Sequence, residues 1–473
     1  MSDIQKMPFD PQKTVSNLLS NNTARERKWM ILGGGPAGLA VGHFARKAGR
    51  DFQLLEASPR VGGNAVTFVE DGLRFDSGAH RFHDRDPAMT REVKELLGAD
   101  LLECAIPSQI YHHGRFVDFP LSPLNLFSAL GLRASLGAAA SFLKARLTHR
   151  GEQDSFEHHA VRAYGRNIAS RFLLGYSEKL WGLPGTQLCP SISGKRLKGL
   201  NLRTFFLETF QGRQAKSAHL DGRFYYPRLG FGMIAEKLAA SCGPERIRLN
   251  ARVTGLRHDG RRIHAVEIND AEVVPVERVV STLPLSLTAR MLASSLPVEV
   301  AADVASLKFR HVVLVALFLN RASATRVGSV YFPDPGFPMT RVYEPRNRSA
   351  EMAPAGRTML AVEIPCDSAD TVWRQDDTEL VRLVAEKLKG CGWFSEDELA
   401  GGCVKRLPAA YPVLEAGVKA RVKRIMDALS RFENLTILGR SGEFRYTHMH
   451  DMLRVGHDTV ASLSSPQPLT KST

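Results

Sequence analysis

Three glycines at fixed spacing, Gly33, Gly35 and Gly38, constrain this chain more than any other feature. They lie in "KWMILGGGPAGLAVGHFARKAGRDFQLLEAS", residues 28–58, where Trp29 to Leu32 read as a buried strand and "AGLAVGHFARKAG" as a helix ending at Gly49. "DFQLLE" follows as a second strand closing on Glu56, 18 residues after the last glycine of the motif. Alone, G-x-G-x-x-G marks only a turn. Between a strand and a helix, with an acid at that distance, it predicts an α/β dinucleotide-binding unit. Glycines let the backbone approach a pyrophosphate, the helix N-terminus offers unpaired N–H groups, and Glu56 accepts ribose hydroxyls.

The rest of the chain bounds what such a unit could serve. With 473 residues, 44% apolar and 24% charged, there is material for roughly three domain-sized units. The net charge of +14 is spread through "RERK", "GKRLK", "RIRLNARVTGLRHDGRR" and "KARVKR". It suits an anionic small molecule or an anionic membrane surface, and lacks the basic tail or aromatic signature of a nucleic-acid binder. The stretch "LFSALGLRASLGAAASFL" (126–143) contains Arg133 and many small residues, so it reads as a buried or surface helix and not as a membrane span. Residues 1–27 lack the apolar core of a signal peptide, which predicts a mobile extension and a cytoplasmic protein. The six cysteines are far apart without a C-x-x-C pair, so neither a zinc knuckle nor a disulfide framework is expected.

"DSGAHRFHDRD" (76–86) sets His80 and His83 among Asp76, Asp84 and Asp86, a composition that a metal would accept. Three-residue spacing brings side chains together only on a helix, however, and this stretch lies between an extended run and a turn. No metal is expected. Asp84 or Asp86 should instead cap the helix "DPAMTREVKELLG", with Pro87 in its first turn.

After Glu56 the chain continues "ASPRVGGNAVTF" and "DGLRFDSGAHRF". Here it resembles FAD-binding flavoproteins of the glutathione-reductase type, in the branch of flavin amine oxidases, protoporphyrinogen oxidases and UDP-galactopyranose mutases. Further resembling segments are "GYSEKLWGLPGTQL" (175–188), "FYYPRLGFGMIAEKLA" (224–239), "RIRLNARVTGL" (246–256), "VYFPDPGFPMTR" (330–341), "AAYPVLEAG" (409–417) and "LGRSGEFRYTHMHDMLRVG" (438–456). The resemblance implies a non-covalent FAD held by Gly33, Gly35, Pro36, Ala37, Gly38, Glu56, Ala57, Arg60, Gly62, Gly63, Asn64, His80, Val253, Arg440, Asp451 and Met452. His80 would lie against the flavin, Glu56 and Arg60 would serve the ribose and the diphosphate, and Val253 would meet the adenine through its backbone. His80, Lys179, Arg341, Tyr411, Arg440 and Tyr446 are the implied catalytic residues. No metal ligand is among them.

The implied architecture is a Rossmann-like FAD-binding domain assembled from residues 28–105, 218–300 and 408–465, a helical insert over 106–217 and a mixed-sheet substrate domain over 301–407, with a tail at 466–473. The expected activity is FAD-dependent oxidation of a small polar, anionic molecule such as a sugar derivative, with NAD(P)H or another electron partner. Two alternatives stand beside it: a redox-neutral nucleotide-sugar mutase using reduced FAD, and a non-catalytic flavoprotein scaffold. Arg341 matches a diphosphate-binding position of the mutases, but a second mutase arginine is Leu174 here and an expected tyrosine is Arg348. The basic loop "EPRNR" (344–348) would have to compensate.

Overall fold

Alternate residues of the strand Trp29–Leu32 enter two different cores, and the fold is built outward from it. In the computed structural model, which describes residues 28–119, 123–148, 155–193 and 223–464, this strand is the centre of a five-stranded sheet. The order is Leu435–Ile437, Arg278–Ser281, Trp29–Leu32, Phe52–Leu55, Ile247–Arg248, and every pairing is parallel. A strand covered on both faces needs an unbroken apolar run, which "WMIL" supplies. Trp29 and Ile31 pack on the helical face. Met30 and Leu32 pack with the antiparallel meander Val253–His258, Ile263–Ile268 and Glu272–Pro275. The helical face carries Pro36–Lys47, Gly232–Cys242 and Met449–Ser464. Glycines set their close approach: a β-carbon at Gly42 would stand 2.8 Å from Cys242 Sγ, and one at Gly456 would stand 2.7 Å from Ala40 Cβ.

A second sheet has seven strands in the order Leu399–Pro412, Phe309–Leu319, Thr358–Cys366, Arg341–Tyr343, Ser329–Tyr331, Ser108–His112, Arg115–Phe119. Phe309–Leu319 again serves two cores. Val313, Val315 and Leu317 meet Leu380, Val384 and Leu388 of the helix Asp377–Lys389, while Leu314, Ala316 and Phe318 meet Leu73 and Phe75. Two differences from the sequence reading appear here. Residues 108–119, assigned above to the helical insert, form a hairpin that extends this sheet, and Leu399–Pro412 runs through the expected boundary at 408. The hairpin turns at His113 and Gly114, with φ of 47° and 78°, the left-handed conformations of a tight two-residue loop. The helices Pro123–Thr148, Phe156–Ile168 and Gly175–Trp181 follow it. The expectations for residues 1–27, for 194–217 of the insert and for the 466–473 tail lie outside the described residues. All six cysteines are free thiols.

Candidate functional site

The fingerprint loop and the second glycine loop touch. Gly62 donates its N–H to Gly34 O at 2.8 Å, and a β-carbon at Gly63 would stand 3.2 Å from Gly35 Cα. A β-carbon at Gly35 would meet nothing nearer than Gly63 Cα at 4.0 Å, so Gly35 faces open space at the start of the helix Pro36–Lys47. Gly38 faces inward, where a β-carbon would collide with the Gly33 carbonyl oxygen. No side chain caps this helix, leaving its first N–H groups available to an anion. Glu56 accepts from Gly34 N at 2.7 Å and Ser58 N at 2.8 Å, one on each oxygen, which fixes its carboxylate beside the loop. Arg60 leans over Phe68 and reaches Gly63 O at 3.4 Å; Ala57 is exposed, and Val253 is buried in the meander core.

At the far end of the sheet the chain leaves Leu435–Ile437 through Gly439, with φ of 88°, where a β-carbon would stand 2.8 Å from Ala37 Cβ. This brings Arg440 beside the fingerprint helix. Over the next turns four buried polar atoms have no hydrogen-bond partner: Arg440 Nε and Nη2, Glu443 Oε2 and Thr447 Oγ1. Native interiors leave few such groups unmatched, and a cluster of them beside a glycine cradle fits a polar ligand. Together with the uncapped helix and Glu56, these residues fit a flavin dinucleotide. Asp451 has another task, accepting from His448 N at 2.8 Å at the start of the helix Met449–Ser464, and Met452 packs partly buried against the core.

His80 is half-buried and stacks on Phe231, with ring centroids 4.9 Å apart and planes at 25°. Its Nε2 lies 3.1 Å from Asn64 O and 3.2 Å from Ser77 Oγ. Asn64 O can only accept, so Nε2 carries the proton and Nδ1 is left as an acceptor. Burial, with the guanidinium groups of Arg341, Arg440 and Arg348 adding to it, drives the His80 pKa down to about 3. The ring is therefore neutral at physiological pH.

Arg341 stands opposite Glu363 on the adjacent antiparallel strand and grips it with Nε at 3.0 Å from Oε1 and Nη2 at 2.7 Å from each oxygen. Glu363 Oε1 also accepts Ala79 N at 2.6 Å, tying this pair to the backbone beside His80. Burial opposes the charge on Arg341, but Glu363 holds it well above the ordinary guanidinium range. The Arg341 charge is thus offset within the fold. The Arg440 guanidinium lies 4.7 Å from the ring centre of Tyr411 and 4.8 Å from that of Tyr446, and Trp181 meets both rings edge-on at 6.0 and 6.1 Å. Burial, reinforced by Glu363, pushes Tyr411 up to about 12, so it is a phenol and not a phenolate.

Two further expectations change. Lys179 Nζ donates to the carbonyls of Asp334, Phe337 and Met339 at 2.9, 2.9 and 2.8 Å. All three ammonium protons are thus engaged in holding a loop, although burial lowers the pKa to about 8. In this arrangement Lys179 clips the loop 334–339. "EPRNR" does not supply a second anion receptor. Arg346 donates to the Ala353 and Pro354 carbonyls, and buried Arg348 donates to His80 O and Gly328 O beneath Tyr343.

Asp76, Asp84 and Asp86 are structural. Asp76 takes Tyr226 Oη at 2.5 Å, Thr67 Oγ1 at 2.7 Å and Phe231 N at 2.8 Å. Asp84 accepts from Thr90, while Asp86 caps the helix Pro87–Leu97 and pairs bidentately with Arg454. His83 faces Phe224, and among the described residues no group of three His, Cys, Asp or Glu could hold a metal. The sequence reading did not pick out Glu363, although a lone carboxylate within "TMLAVEIPC" signals a buried cation nearby. Glu443, Thr447 and the phenols Tyr176 and Tyr331 beside Arg341 carried no comparable signal.

Known proteins agree with this geometry. Over 450 residues the chain is 24% identical to coproporphyrinogen III oxidase of Bacillus subtilis (strain 168), covering 88% of this chain and 93% of that one. Its fold is similar to that of reduced UDP-galactopyranose mutase, with a TM-score of 0.80 at 19% identity over 93% of this chain and 96% of that one. It is also similar to that of putrescine oxidase bound to putrescine, with a TM-score of 0.62 at 17% identity over 93% of this chain and 99% of that one. These structural likenesses speak for the fold. The family model described as flavin containing amine oxidoreductase matches residues 36–413, most of the chain. The protein is a flavin-dependent enzyme and belongs to the flavin containing amine oxidoreductase family.

Proposed function

We propose that this enzyme holds FAD non-covalently and oxidises a small polar substrate bearing one anionic group. The observation that carries the reading is Arg440: its Nε and Nη2 are buried without hydrogen-bond partners, its guanidinium lies beside the rings of Tyr411 and Tyr446, and Glu363 offsets Arg341. One uncompensated guanidinium suits a carboxylate or a single phosphate better than a diphosphate. A bound flavin supplies a hydride acceptor. Arg440 orients the anionic group, the rings of Trp181, Tyr411 and Tyr446 exclude water, and neutral His80 adds no charge beside the reacting centre.

The second reading, a nucleotide-sugar mutase acting with reduced FAD, is favoured by the phenols of Tyr176, Tyr331 and Tyr411 around Arg341, which could donate to diphosphate oxygens. Anaerobic mixing separates the two. A panel of organic acids, sugar acids, coproporphyrinogen III (named for the B. subtilis relative) and UDP-galactopyranose should contain a compound that bleaches the oxidised flavin band. Arg440→Met should then lower kcat/KM by about 2–5 kcal/mol when rates are expressed per bound flavin. Turnover only after dithionite reduction would establish the mutase reading instead, and no turnover in either state would leave a flavoprotein scaffold.

A further inference from the structure

We propose that the outward face of residues 133–148, the second half of the helix Pro123–Thr148, docks on an anionic lipid surface. The proposal is independent of the reaction assigned above. After Gly131, where the helix is broken by a φ of 77°, the segment is inverted: Ala138 and Ala145 face the protein, and Leu136, Leu143 and Leu147 face away. Ala138 and Ala145 are buried, and Ser141 Oγ accepts Asn167 N from the neighbouring helix at 3.2 Å. Gly165 admits the backbone here, since a β-carbon on it would stand 2.7 Å from Phe142 N. Leu136, Leu143 and Leu147 are 63%, 61% and 66% exposed.

At 3.6 residues per turn these leucines and Ala140 fall within an arc of about 60°, opposite Ala138, Ser141 and Ala145. The same geometry puts Arg133 and Lys144 along one edge of the stripe and Arg146 along the other. No Asp or Glu occurs between Asp118 and Glu152, whereas Arg133, Lys144, Arg146 and Arg150 all do. Leucines held in water forgo the free energy of burial, so a row of three on one face implies a cover. A stripe rimmed by cations and devoid of acids complements a layer of anionic headgroups better than a protein surface of mixed charge. The leucines would enter the acyl boundary while the basic side chains reach the phosphates. No described helix is long and apolar enough to cross a membrane, so the geometry is that of a helix lying in the interface.

The test is flotation of the purified full-length flavoprotein with phosphatidylglycerol-containing vesicles and with pure phosphatidylcholine vesicles. The protein should float with the anionic vesicles, at least about tenfold more than with neutral ones, and less as salt is raised. L136Q/L143Q/L147Q should weaken binding on the order of a hundredfold with flavin absorbance and circular dichroism unchanged. R133Q/K144Q/R146Q should lose on the order of a hundredfold on anionic vesicles. Leu143→Trp, a single conservative change, should give an added tryptophan emission that shifts to the blue on adding anionic vesicles. Wild-type protein that does not float, an L136Q/L143Q/L147Q variant that floats equally, or a Leu143→Trp variant whose emission is blind to vesicles would each overturn the proposal. A concentration-dependent dimer abolished by the leucine substitutions, without vesicle binding, would overturn it in favour of a second copy of this chain as the cover.

Discussion

Replacing Glu363 with glutamine isolates the Arg341 pair with almost no change in volume. The Arg341 and Glu363 side chains are 17% and 4% exposed, and three contacts of 2.7–3.0 Å join them. The introduced amide oxygen could still accept the Ala79 N–H, so the substitution removes chiefly the negative charge and leaves a guanidinium in a poorly solvated place. Breaking a buried pair in this way costs about 3–5 kcal/mol, whereas replacing both partners with apolar groups is often neutral or stabilising. Glu363→Gln and Arg341→Met should therefore each destabilise by about 3–5 kcal/mol, and the double variant by much less than their sum, with a coupling of about 3 kcal/mol or more. Equilibrium urea unfolding at pH 7, at fixed protein and flavin concentrations, measures all three. Added sulfate should restore part of the stability of Glu363→Gln, because the freed guanidinium accepts an anion, and should do less for the wild type. A Glu363→Gln variant within about 1 kcal/mol of wild type, or single effects that simply add, would refute the reasoning.

The two inner glycines should fail differently. Gly35→Val should fold, since its β-carbon enters open space, yet carry no flavin; Gly38→Val should fail to fold because of the Gly33 carbonyl. Flavin content and circular dichroism distinguish these outcomes, and a yellow Gly35→Val protein would contradict the cradle. Lys179→Met should destabilise by about 2–4 kcal/mol and speed proteolysis within 334–339 while leaving the flavin spectrum unchanged, since three carbonyls lose a charged donor. His80 has a folded pKa of about 3 against an ordinary 6.5, so the unfolded chain takes up the proton first. Its contribution is complete above pH 6.5 and declines as pH falls toward 3, by about 2 kcal/mol at pH 5. His80→Gln, which keeps a donor for Asn64 O, should show a shallower loss of stability in that window; equal slopes would mean that the His80 pKa is not depressed in the fold.

What the sequence determined by itself is local in origin. The strand, glycine turn and helix of residues 29–47 follow from an unbroken apolar run, missing β-carbons and Pro36 at the helix start, all within one stretch of chain. The Asp86–Pro87 start of the next helix was legible for the same reason. The hairpin at His113–Gly114 is local in the same way, a two-residue left-handed turn between extended runs. Tertiary structure alone decided which charges are spent. Arg341 meets Glu363 because two strands lie in one register, and Lys179 is exhausted by carbonyls 155–160 residues away. Arg440 keeps buried nitrogens without partners because a left-handed glycine turns it toward the fingerprint helix. Periodicity says which face of an element is buried, but the partner of a buried charge depends on which distant segment is laid against it, and that is set by the packing of the whole chain.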